Sequence, residues 1–368
     1  MEIQRIKINN FRNLENLELV PAAGVNLISG NNGAGKTSVL EAIFYCCTGR
    51  SFRATNDEPV MRRGASFSRV EVNGLIGDEL RTVAVAWGDG EKKHAKIDGV
   101  RLTKLAELLG HFQAVAFVPE DVELVYGPPA QRRRLLDIYI SQIDQKYLRD
   151  LIEYQRILAQ RNALLKDFNL DSEGNGSSAL LDSWDQQLAS AGARVVTARR
   201  KLVEECTLRL QHYFELLANP GGKLEWRYEA SAGEEGDEPQ QFLGKLRDSR
   251  RRDLNFGTTS MGPHRDDITY LLGGVPARNY ASQGEAKAVA LATKFAVFDY
   301  LSGILEERPL LLLDELGSQL DAKRLESLLA LLPEFGQVFL TAARPGDLLK
   351  AASTAAEMKL ADGKLELE

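Results

Sequence analysis

A run of small and polar residues near the start of the sequence has the composition of a phosphate-binding loop. Its glycines let backbone N–H groups turn inward around phosphate oxygens, Lys36 adds a positive charge, and the Thr37 hydroxyl is a ligand that suits Mg²⁺. The run fits the pattern G-x-x-x-x-G-K-[ST] and, with the serine that follows, comprises Gly30, Asn31, Asn32, Gly33, Ala34, Gly35, Lys36, Thr37 and Ser38. The sequence therefore predicts a site for a nucleoside triphosphate with Mg²⁺.

The flanking residues favour this interpretation over a chance match in a glycine-rich loop. The apolar residues 25–28 before the run predict a buried strand, and residues 38–44 after it predict a helix. Strand, loop and helix in this order are the setting that a phosphate-binding loop requires.

A second apolar run, residues 309–313, ends in two carboxylates, Asp314 and Glu315. In an enzyme with a phosphate-binding loop, the first acid holds Mg²⁺ through its water shell and the second polarises the attacking water. Many buried strands end in an acid that only caps the next helix, so this pattern gains its specificity from the intact loop. The pair predicts Asp314 as the metal-supporting residue and Glu315 as the catalytic one.

A third motif, Ser282-Gln283-Gly284-Glu285, opens a predicted helix. One interpretation is a capping box, in which Ser282 and Glu285 satisfy each other's backbone N–H groups. The other is a phosphate site built from a hydroxyl, a glycine and a free helix N-terminus. Both can hold, and one chain does not need two phosphate sites for one nucleotide. We therefore expect Ser282 and Gly284 to complete the site of a second copy in a head-to-tail dimer.

The composition sets broad limits on the protein class. The chain has 368 residues, a net charge of −6 and 44% hydrophobic residues, which is typical of a globular protein of two lobes. No apolar run approaches the roughly 18 residues of a membrane span, and the first residues lack the apolar segment of a signal peptide. The three cysteines have neither CxxC nor zinc spacing. We expect a cytoplasmic protein without a membrane partner.

The order of predicted elements changes along the chain. Residues 68–102 are rich in β-branched residues and carry three turn signals, at 77–78, 88–90 and 98–99, which predict an antiparallel meander. A helix over 104–110 and a strand over 114–118 follow.

Two long amphipathic patterns come next, at 131–168 and from about 179 to 217. A polar loop, 169–178, joins them, so we expect an antiparallel helical hairpin. Their apolar stripe is either the hairpin's own core or a face for a partner. After an acidic loop over 231–239 the pattern predicts a helix, a hairpin with its turn at 273–274, a helix from Ser282, and then strand, helix and strand.

The motifs in this order resemble the ABC-type ATPase head. About 280 residues separate Lys36 from Asp314, with the helical hairpin between them, and this layout resembles the SMC-like DNA-repair ATPases. Five further segments are similar to the bacterial RecF family, over essentially the whole chain: 10–13 (NFRN), 49–53 (GRSFR), 119–121 (PED), 127–137 (GPPAQRRRLLD) and 262–267 (GPHRDD).

The resemblance implies an α/β fold: an ABC/SMC-like P-loop ATPase head, with a mixed sheet plus an antiparallel meander and a helical lobe carrying a short antiparallel hairpin arm. The expected limits are 1–118 for ATPase lobe I, 119–304 for helical lobe II and 305–368 for the return to lobe I.

The resemblance also implies a function. A member of this family is expected to be a cytoplasmic recombination mediator in gap repair, with ATP and Mg²⁺ as cofactors. ATP would close a homodimer on duplex DNA or on junctions of single and double strands. RecR, with RecO nearby, would be the partner in loading RecA, and slow hydrolysis would release the complex. By the same resemblance Ser282 and Gly284 act on the other copy's nucleotide, and Arg12 reaches the γ-phosphate.

Three positions depart from the family pattern. Gln319 replaces an acid in the turn 318–321, Thr341 stands where many ABC proteins carry a switch histidine, and Gln113 is the one candidate for the residue that links the lobes. The roles of these positions are open at this stage.

With a net charge of −6, DNA contact must be local. Candidate basic residues are Arg132, Arg133, Arg134, Arg199, Arg200, Lys201, Arg247, Arg250, Arg251 and Arg252. A basic triplet on a helix is more often a solvated face than a phosphate clamp. Without interleaved aromatic residues these triplets favour salt-sensitive contact with the duplex backbone, without sequence specificity and dependent on ATP.

Two other function classes are considered. A transporter-coupling ATPase is disfavoured by the long insertion, and a nucleotide-gated clamp that barely hydrolyses ATP differs from the first hypothesis only in its rate. Comparing Lys36→Met with Glu315→Gln separates these possibilities.

Overall fold

The computed structural model describes residues 1–54, 57–88, 90–167, 175–218, 221–233, 238–318, 322–343 and 355–366. The strands, in chain order, are β1 (Glu2–Phe11), β2 (Leu14–Leu19), β3 (Val25–Ser29), β4 (Phe67–Ile76), β5 (Glu79–Gly88), β6 (Glu91–Ile97), β7 (Val100–Arg101), β8 (Ala114–Phe117), β9 (Leu224–Glu229), β10 (Asp267–Leu272), β11 (Val275–Pro276), β12 (Leu310–Leu313), β13 (Val338–Ala342), β14 (Ala356–Ala361) and β15 (Lys364–Leu365).

The α-helices are α1 (Lys36–Thr48), α2 (Glu123–Tyr126), α3 (Pro129–Ile143), α4 (Gln145–Asp167), α5 (Asn175–Leu217), α6 (Pro239–Phe256), α7 (Ala277–Tyr280), α8 (Gln283–Leu305) and α9 (Ala322–Leu331). Short 3₁₀ helices lie at Glu58–Val60, Leu105–Leu108, Pro119–Val122, Leu316–Ser318 and Leu332–Phe335. The helix predicted over 104–110 is thus a single turn, because Leu109 is already extended.

The chain divides into two compact units. Unit 1 comprises 1–125, 208–223 and 281–368, and unit 2 comprises 126–207 and 224–280. These limits differ from the predicted lobes, which placed 281–304 in the helical lobe. The reason lies in α8, whose Lys294 ammonium donates to the carbonyl of Ala116 in β8 and pairs with Asp121, both in unit 1.

Unit 1 contains an antiparallel sheet in the order β2-β1-β4-β5-β6-β7. Buried residues alternate with half-buried ones along most of β4, so one face of this strand is covered and the other is more open to solvent. The predicted meander is confirmed, with turns where the Gly and Asp signals placed them.

Unit 1 also contains a second six-stranded sheet in the order β15-β14-β3-β13-β12-β8. Its strands β14, β3, β13, β12 and β8 are parallel, and β3, β13, β12 and β8 are buried along their whole length. Parallel strands all end at the same edge, so the loops after β3 and β12 and the end of β13 meet there.

Among the described residues, α8 alone is long and apolar enough to cross a membrane. Two thirds of its most apolar window is buried inside the protein (67%), and it packs against β8 and the turn at Pro119–Val122. The helix therefore belongs to the core of unit 1.

Unit 2 contains the helical hairpin and the small antiparallel sheet β11-β10-β9. The single helix predicted over 131–168 is wrong: Asp144 is extended and separates α3 from α4. Its carboxylate accepts the N–H groups of Lys146 and Tyr147, and so caps the start of α4. Helical spacing continued across this break, so periodicity did not reveal it.

The hairpin pairs α4 with the first part of α5 in antiparallel fashion. Arg161 contacts Asp185, and Arg194 contacts Asp150 earlier in α4. The apolar stripe of α4 is buried, which supports its interpretation as the hairpin's own core. Helix α5 begins four residues before its predicted start. Residues 169–174 and 234–237 of the two predicted loops lie outside the described residues.

Candidate functional site

The loop between β3 and α1 depends on glycine at two positions. Gly30 has φ 145°, and a Cβ there would lie 2.2 Å from the carbonyl oxygen of Leu360. Gly35 has φ 104°, and its Cβ would lie 2.6 Å from Leu14 Cδ2. Any other residue would push the loop away from these neighbours, so both glycines fix the loop's path.

The positive groups of this loop meet uncharged partners in the described part of the chain. Lys36 is buried, and its ammonium donates to the carbonyl oxygens of Gly30 (2.9 Å) and Asn31 (3.0 Å). Helix α1 begins at Lys36, and Gly35 before it supplies no capping side chain. The backbone N–H groups of the first turn and the lysine are therefore an arrangement that can hold an anion.

The loop and the acidic strand meet at Thr37. Its hydroxyl lies 2.9 Å from both carboxylate oxygens of Asp314, which follows β12. Burial raises the pKa of Asp314 and the Glu315 charge adds to this, whereas hydrogen bonds from Thr341 and Thr37 oppose it. The two predicted metal-supporting residues thus lie in direct contact.

The donor set at this point fits Mg²⁺. The described residues contain no cluster of three or more His, Cys, Asp or Glu side chains able to hold a metal ion on their own. A hydroxyl and one carboxylate instead match the way Mg²⁺ binds in nucleotide sites, where water and phosphate oxygens fill the other positions. Thr37 and Asp314 are the residues that would hold it.

Glu315 has an unusual backbone conformation. Its φ of 49° lies in the left-handed region, which a residue with a Cβ rarely adopts. Its N–H donates to the hydroxyl of Thr341 at 2.9 Å, and its side chain is half-buried. The strand β13 reaches Ala342, so Thr341 is part of the strand.

The third motif is exposed at the start of α8. Ser282 caps the helix: its hydroxyl accepts the N–H of Glu285 at 3.2 Å, and the Glu285 carboxylate accepts the Ser282 N–H at 2.8 Å. The capping box is confirmed. A Cβ at Gly284 would meet nothing within 4 Å, so the helix end is open to a binding partner.

Arg12 is held by Glu41 of α1. Its guanidinium makes two hydrogen bonds to that buried carboxylate, at 2.9 and 2.6 Å, and a third to the carbonyl of Pro59. Ser51 donates to the same carboxylate at 2.5 Å. The geometry therefore assigns Arg12 to Glu41 in this structure, and its reach to a phosphate stays a prediction.

Two supports of the phosphate-binding loop were missed by sequence reasoning. The Asn13 amide donates to the carbonyl of Gly33 at 2.7 Å and accepts the Ser38 hydroxyl at 2.8 Å. In the turn between β14 and β15, the Gly363 N–H donates to the carbonyl of Ala34 at 3.1 Å. Asp362-Gly363 is a hairpin signal that could have located this turn, but nothing in the sequence pairs it with the loop.

The chain matches the family model described as RecF/RecN/SMC N terminal domain over residues 2–365. It is 36% identical, over 95% of its length and 93% of the relative's, to the DNA replication and repair protein RecF of Symbiobacterium thermophilum. The chain belongs to the RecF family. The RecF protein of Clostridium acetobutylicum is 32% identical, with 95% of both chains covered.

Solved structures agree with this family assignment. A structure of the recombination mediator protein RecF with ATP, in the RecFOR pathway, matches with a TM-score of 0.89 and 33% identity, covering 99% of this chain and 97% of the other. An Smc head domain from Pyrococcus furiosus matches with a TM-score of 0.57 and 18% identity, which shows the fold alone. The predicted fold class and family are confirmed.

The basic residues predicted to contact DNA fall into two groups. Arg132 and Arg199 are buried, and they pair with Asp267 at 2.6 Å and Asp137 at 2.7 Å. Their prediction as DNA contacts is corrected, because their charges are already neutralised inside unit 2. Arg250 pairs with Asp182 and Asp185.

The remaining basic residues differ in exposure. Arg133, Arg134 and Arg200 are half-buried, and Arg133 donates to the carbonyl of Asp266. The exposed basic side chains in these triplets are Lys201, Arg247, Arg251 and Arg252. DNA contact by any of them stays a prediction.

Gln113 lies at the wrong edge of the parallel sheet for a residue near the nucleotide. It directly precedes β8, whose Ala114 pairs with Leu310 at the start of β12. Asp314 follows the opposite end of β12, about 13 Å away along four residues. The prediction of Gln113 as the residue that links the lobes is therefore wrong. Gln319 lies outside the described residues.

Proposed function

We propose that the chain is an ATP-dependent DNA-binding recombination mediator that uses slow ATP hydrolysis for release. The observation that carries this proposal is the contact between Thr37 and Asp314, which joins the phosphate-binding loop to the acidic strand within 2.9 Å. Membership of the RecF family, with a relative solved bound to ATP, supports ATP as the nucleotide.

Different residues of the chain bind the phosphates, hold the metal ion and activate the water. Lys36 and the first N–H groups of α1 bind and orient the phosphate oxygens. Thr37 and Asp314 would hold Mg²⁺, which would supply positive charge to neutralise the phosphate oxygens. Glu315 orients the attacking water and accepts its proton. Glu315 directly follows the buried Asp314 and is itself half-buried, so it lies close to the residues that would hold Mg²⁺.

The active form in this proposal is a homodimer that forms with ATP. The exposed start of α8 offers free N–H groups and an open space at Gly284. Neither is filled within the described chain, so the γ-phosphate bound by a second copy can dock there. The exposed Ser282 hydroxyl donates to the Glu285 carboxylate at 2.8 Å in this structure, and in the dimer it would turn to donate its proton to that phosphate.

DNA, RecR and RecO are the proposed partners, with RecA loading at gaps as the outcome. Two findings support these partners: the chain belongs to the RecF family, and the solved relative is described as part of the RecFOR pathway. A cytoplasmic location fits three buried cysteines that form no disulfide. Exposed basic residues such as Lys201 and Arg251 would contact duplex phosphates without reading sequence.

The experiment compares Lys36→Met, Glu315→Gln and, as a matched control, the exposed Lys104→Met. Lys36→Met should weaken ATP binding by roughly 10- to 100-fold, because a charge-assisted contact is lost. Glu315→Gln should keep ATP binding, slow hydrolysis by about 10²- to 10⁴-fold and accumulate a DNA-bound dimer in sedimentation. The control should behave as the wild type.

Two results would contradict the proposal. A Glu315→Gln protein that stays monomeric with saturating ATP and DNA excludes the composite site. A Lys36→Met protein that binds ATP as tightly as the Lys104→Met control excludes the loop as the phosphate site.

A further inference from the structure

Thr341 is a buried polar residue between the two halves of the phosphate site. It lies in β13, which has β3 and the phosphate-binding loop on one side and β12 and the acidic pair on the other. Leu340 pairs with Leu313, so Thr341 and Asp314 come next to each other at the ends of neighbouring parallel strands. Its side chain is fully buried.

The hydroxyl of Thr341 makes two hydrogen bonds of opposite sense. It donates its single proton to Asp314 Oδ1 at 2.6 Å, and it accepts the N–H of Glu315 at 2.9 Å. A sensor of the terminal phosphate would have to donate a proton to that phosphate. Thr341 has already given its proton to Asp314, so this geometry does not suit a sensor.

The second bond holds a strained residue. The left-handed conformation of Glu315, with φ 49°, persists only where its surroundings enforce it. The bond to Thr341 fixes the peptide group between Asp314 and Glu315, and this peptide sets the direction in which the Glu315 side chain leaves the backbone. One hydroxyl therefore controls the orientation of both carboxylates.

We propose that Thr341 is a positioning residue for ATP hydrolysis, which orients Asp314 and Glu315 and does not sense the γ-phosphate. This inference rests on the proposed ATPase function. Many ABC proteins carry a histidine at the position of Thr341. In this chain the residue there would affect hydrolysis through Asp314 and Glu315.

The test compares Thr341→Val, which keeps the shape and removes the hydroxyl, with Thr341→Ser, which keeps the hydroxyl. Thr341→Val should lower kcat by about 10- to 100-fold, because the reacting groups lose their alignment. Its affinities for ATP and for ADP should each stay within about threefold of the wild type, while the Mg²⁺ concentration for half-maximal activity rises. Thr341→Ser should restore kcat to within about threefold.

A matched control is Thr293→Val in α8. Thr293 is also fully buried, and its hydroxyl donates to the carbonyl of Val289. The control tests whether loss of any buried hydroxyl in unit 1 slows the reaction, and its kcat should equal the wild-type value. Should Thr341→Val not show a cooperative thermal transition, Thr341→Ala and Thr341→Ser carry the same comparison.

Three results overturn the inference. The first is a Thr341→Val protein with the wild-type kcat, and the second is a Thr341→Ser protein that loses as much kcat as Thr341→Val. The third is a loss of the preference for ATP over ADP in either variant, because that loss would mark a phosphate sensor. A wild-type chain that neither binds nor hydrolyses ATP contradicts the proposed function instead, so the two failures are distinguishable.

Discussion

Buried charges occur in both units, and they differ in what they contact. In unit 2, Arg161 is fully buried and lies 2.6 Å from Asp185 and 2.8 Å from Asp253. In unit 1, Lys36 meets carbonyl oxygens and Asp314 meets threonine hydroxyls, and the described residues place no counter-ion within 4 Å of either. Unit 2 thus neutralises the Arg161 charge internally, whereas unit 1 leaves the charges of Lys36 and Asp314 for a ligand.

The difference shows how a buried charge can be interpreted. Transfer of a charge from water into the protein is costly unless a partner compensates for it. A charge that finds its counter-ion within the chain holds the fold together. A charge that meets only neutral groups is maintained at a cost in stability, and the compensating partner arrives with the substrate.

The largest effect that would sharpen this comparison is expected at Arg161. Arg161→Met leaves the buried Asp253 without a counter-ion among the described residues and Asp185 with Arg250 alone, so it should lower the free energy of unfolding by about 3–5 kcal/mol. Urea denaturation measures this. Arg156→Met, at an exposed position of the same helix, is the control and should change it by less than about 0.5 kcal/mol. A loss at Arg161 no larger than the control's would remove the distinction between the units.

A smaller effect is expected where a predicted DNA contact proved to be buried. Arg199→Gln should cost about 2–3 kcal/mol of stability, because Arg199 bonds to Asp137 and to the carbonyl of Pro263. Exposed Lys201→Gln should leave stability within about 0.5 kcal/mol and lower the salt dependence of DNA binding by about one phosphate contact. Titrating duplex binding with salt measures this dependence. The distinction between the buried and the exposed residue would be wrong if a folded Arg199→Gln protein changed the salt dependence and Lys201→Gln did not.

The smallest effect concerns pH. Burial lowers the pKa of His264 below its ordinary value of 6.5, and the nearby Arg265 charge acts in the same direction. The neutral ring accepts the Tyr154 hydroxyl at 2.6 Å and donates to the carbonyl of Thr259 at 3.0 Å. Below pH 6.5 His264 binds a proton more readily in the unfolded chain than in the folded one. The contribution of His264 to the free energy of unfolding is therefore present above pH 6.5 and is lost as the pH falls below it.

His264→Gln isolates this contribution, because an amide can make both bonds without titrating between pH 5 and 7. The variant's free energy of unfolding should fall less than the wild-type value between pH 7 and pH 5. Parallel curves for the two proteins would show that His264 does not titrate differently on folding.

The sequence predicted the site in unit 1 better than the charges in unit 2. The loop at 30–37, the acids 314 and 315 and the Ser282 cap are local patterns, because each is fixed by neighbours a few residues away. The partners of Arg199 and Arg161 lie 62 and 92 residues distant, and no local spacing encodes such pairs. The basic triplets therefore predicted a DNA-binding surface, although two of their side chains, Arg132 and Arg199, are buried.

The same reasoning explains the other corrections. The break at Asp144 leaves helical spacing intact on both sides, so only the capping geometry reveals it. The position of Gln113 at the far edge of the sheet depends on strand order, which single-chain patterns do not give. The role of Thr341 needs the pairing of β13 with β12, across 27 residues of chain.

The position of β3 in its sheet has a consequence for synthesis on the ribosome. Its two neighbours, β13 and β14, come from residues 338–361, roughly three hundred residues later than the strand itself. A growing chain therefore carries the nucleotide loop long before β3 has a neighbouring strand on either side. Competence to take up ATP must then wait until β13 has been synthesised, and messages truncated before β13 would yield products without it.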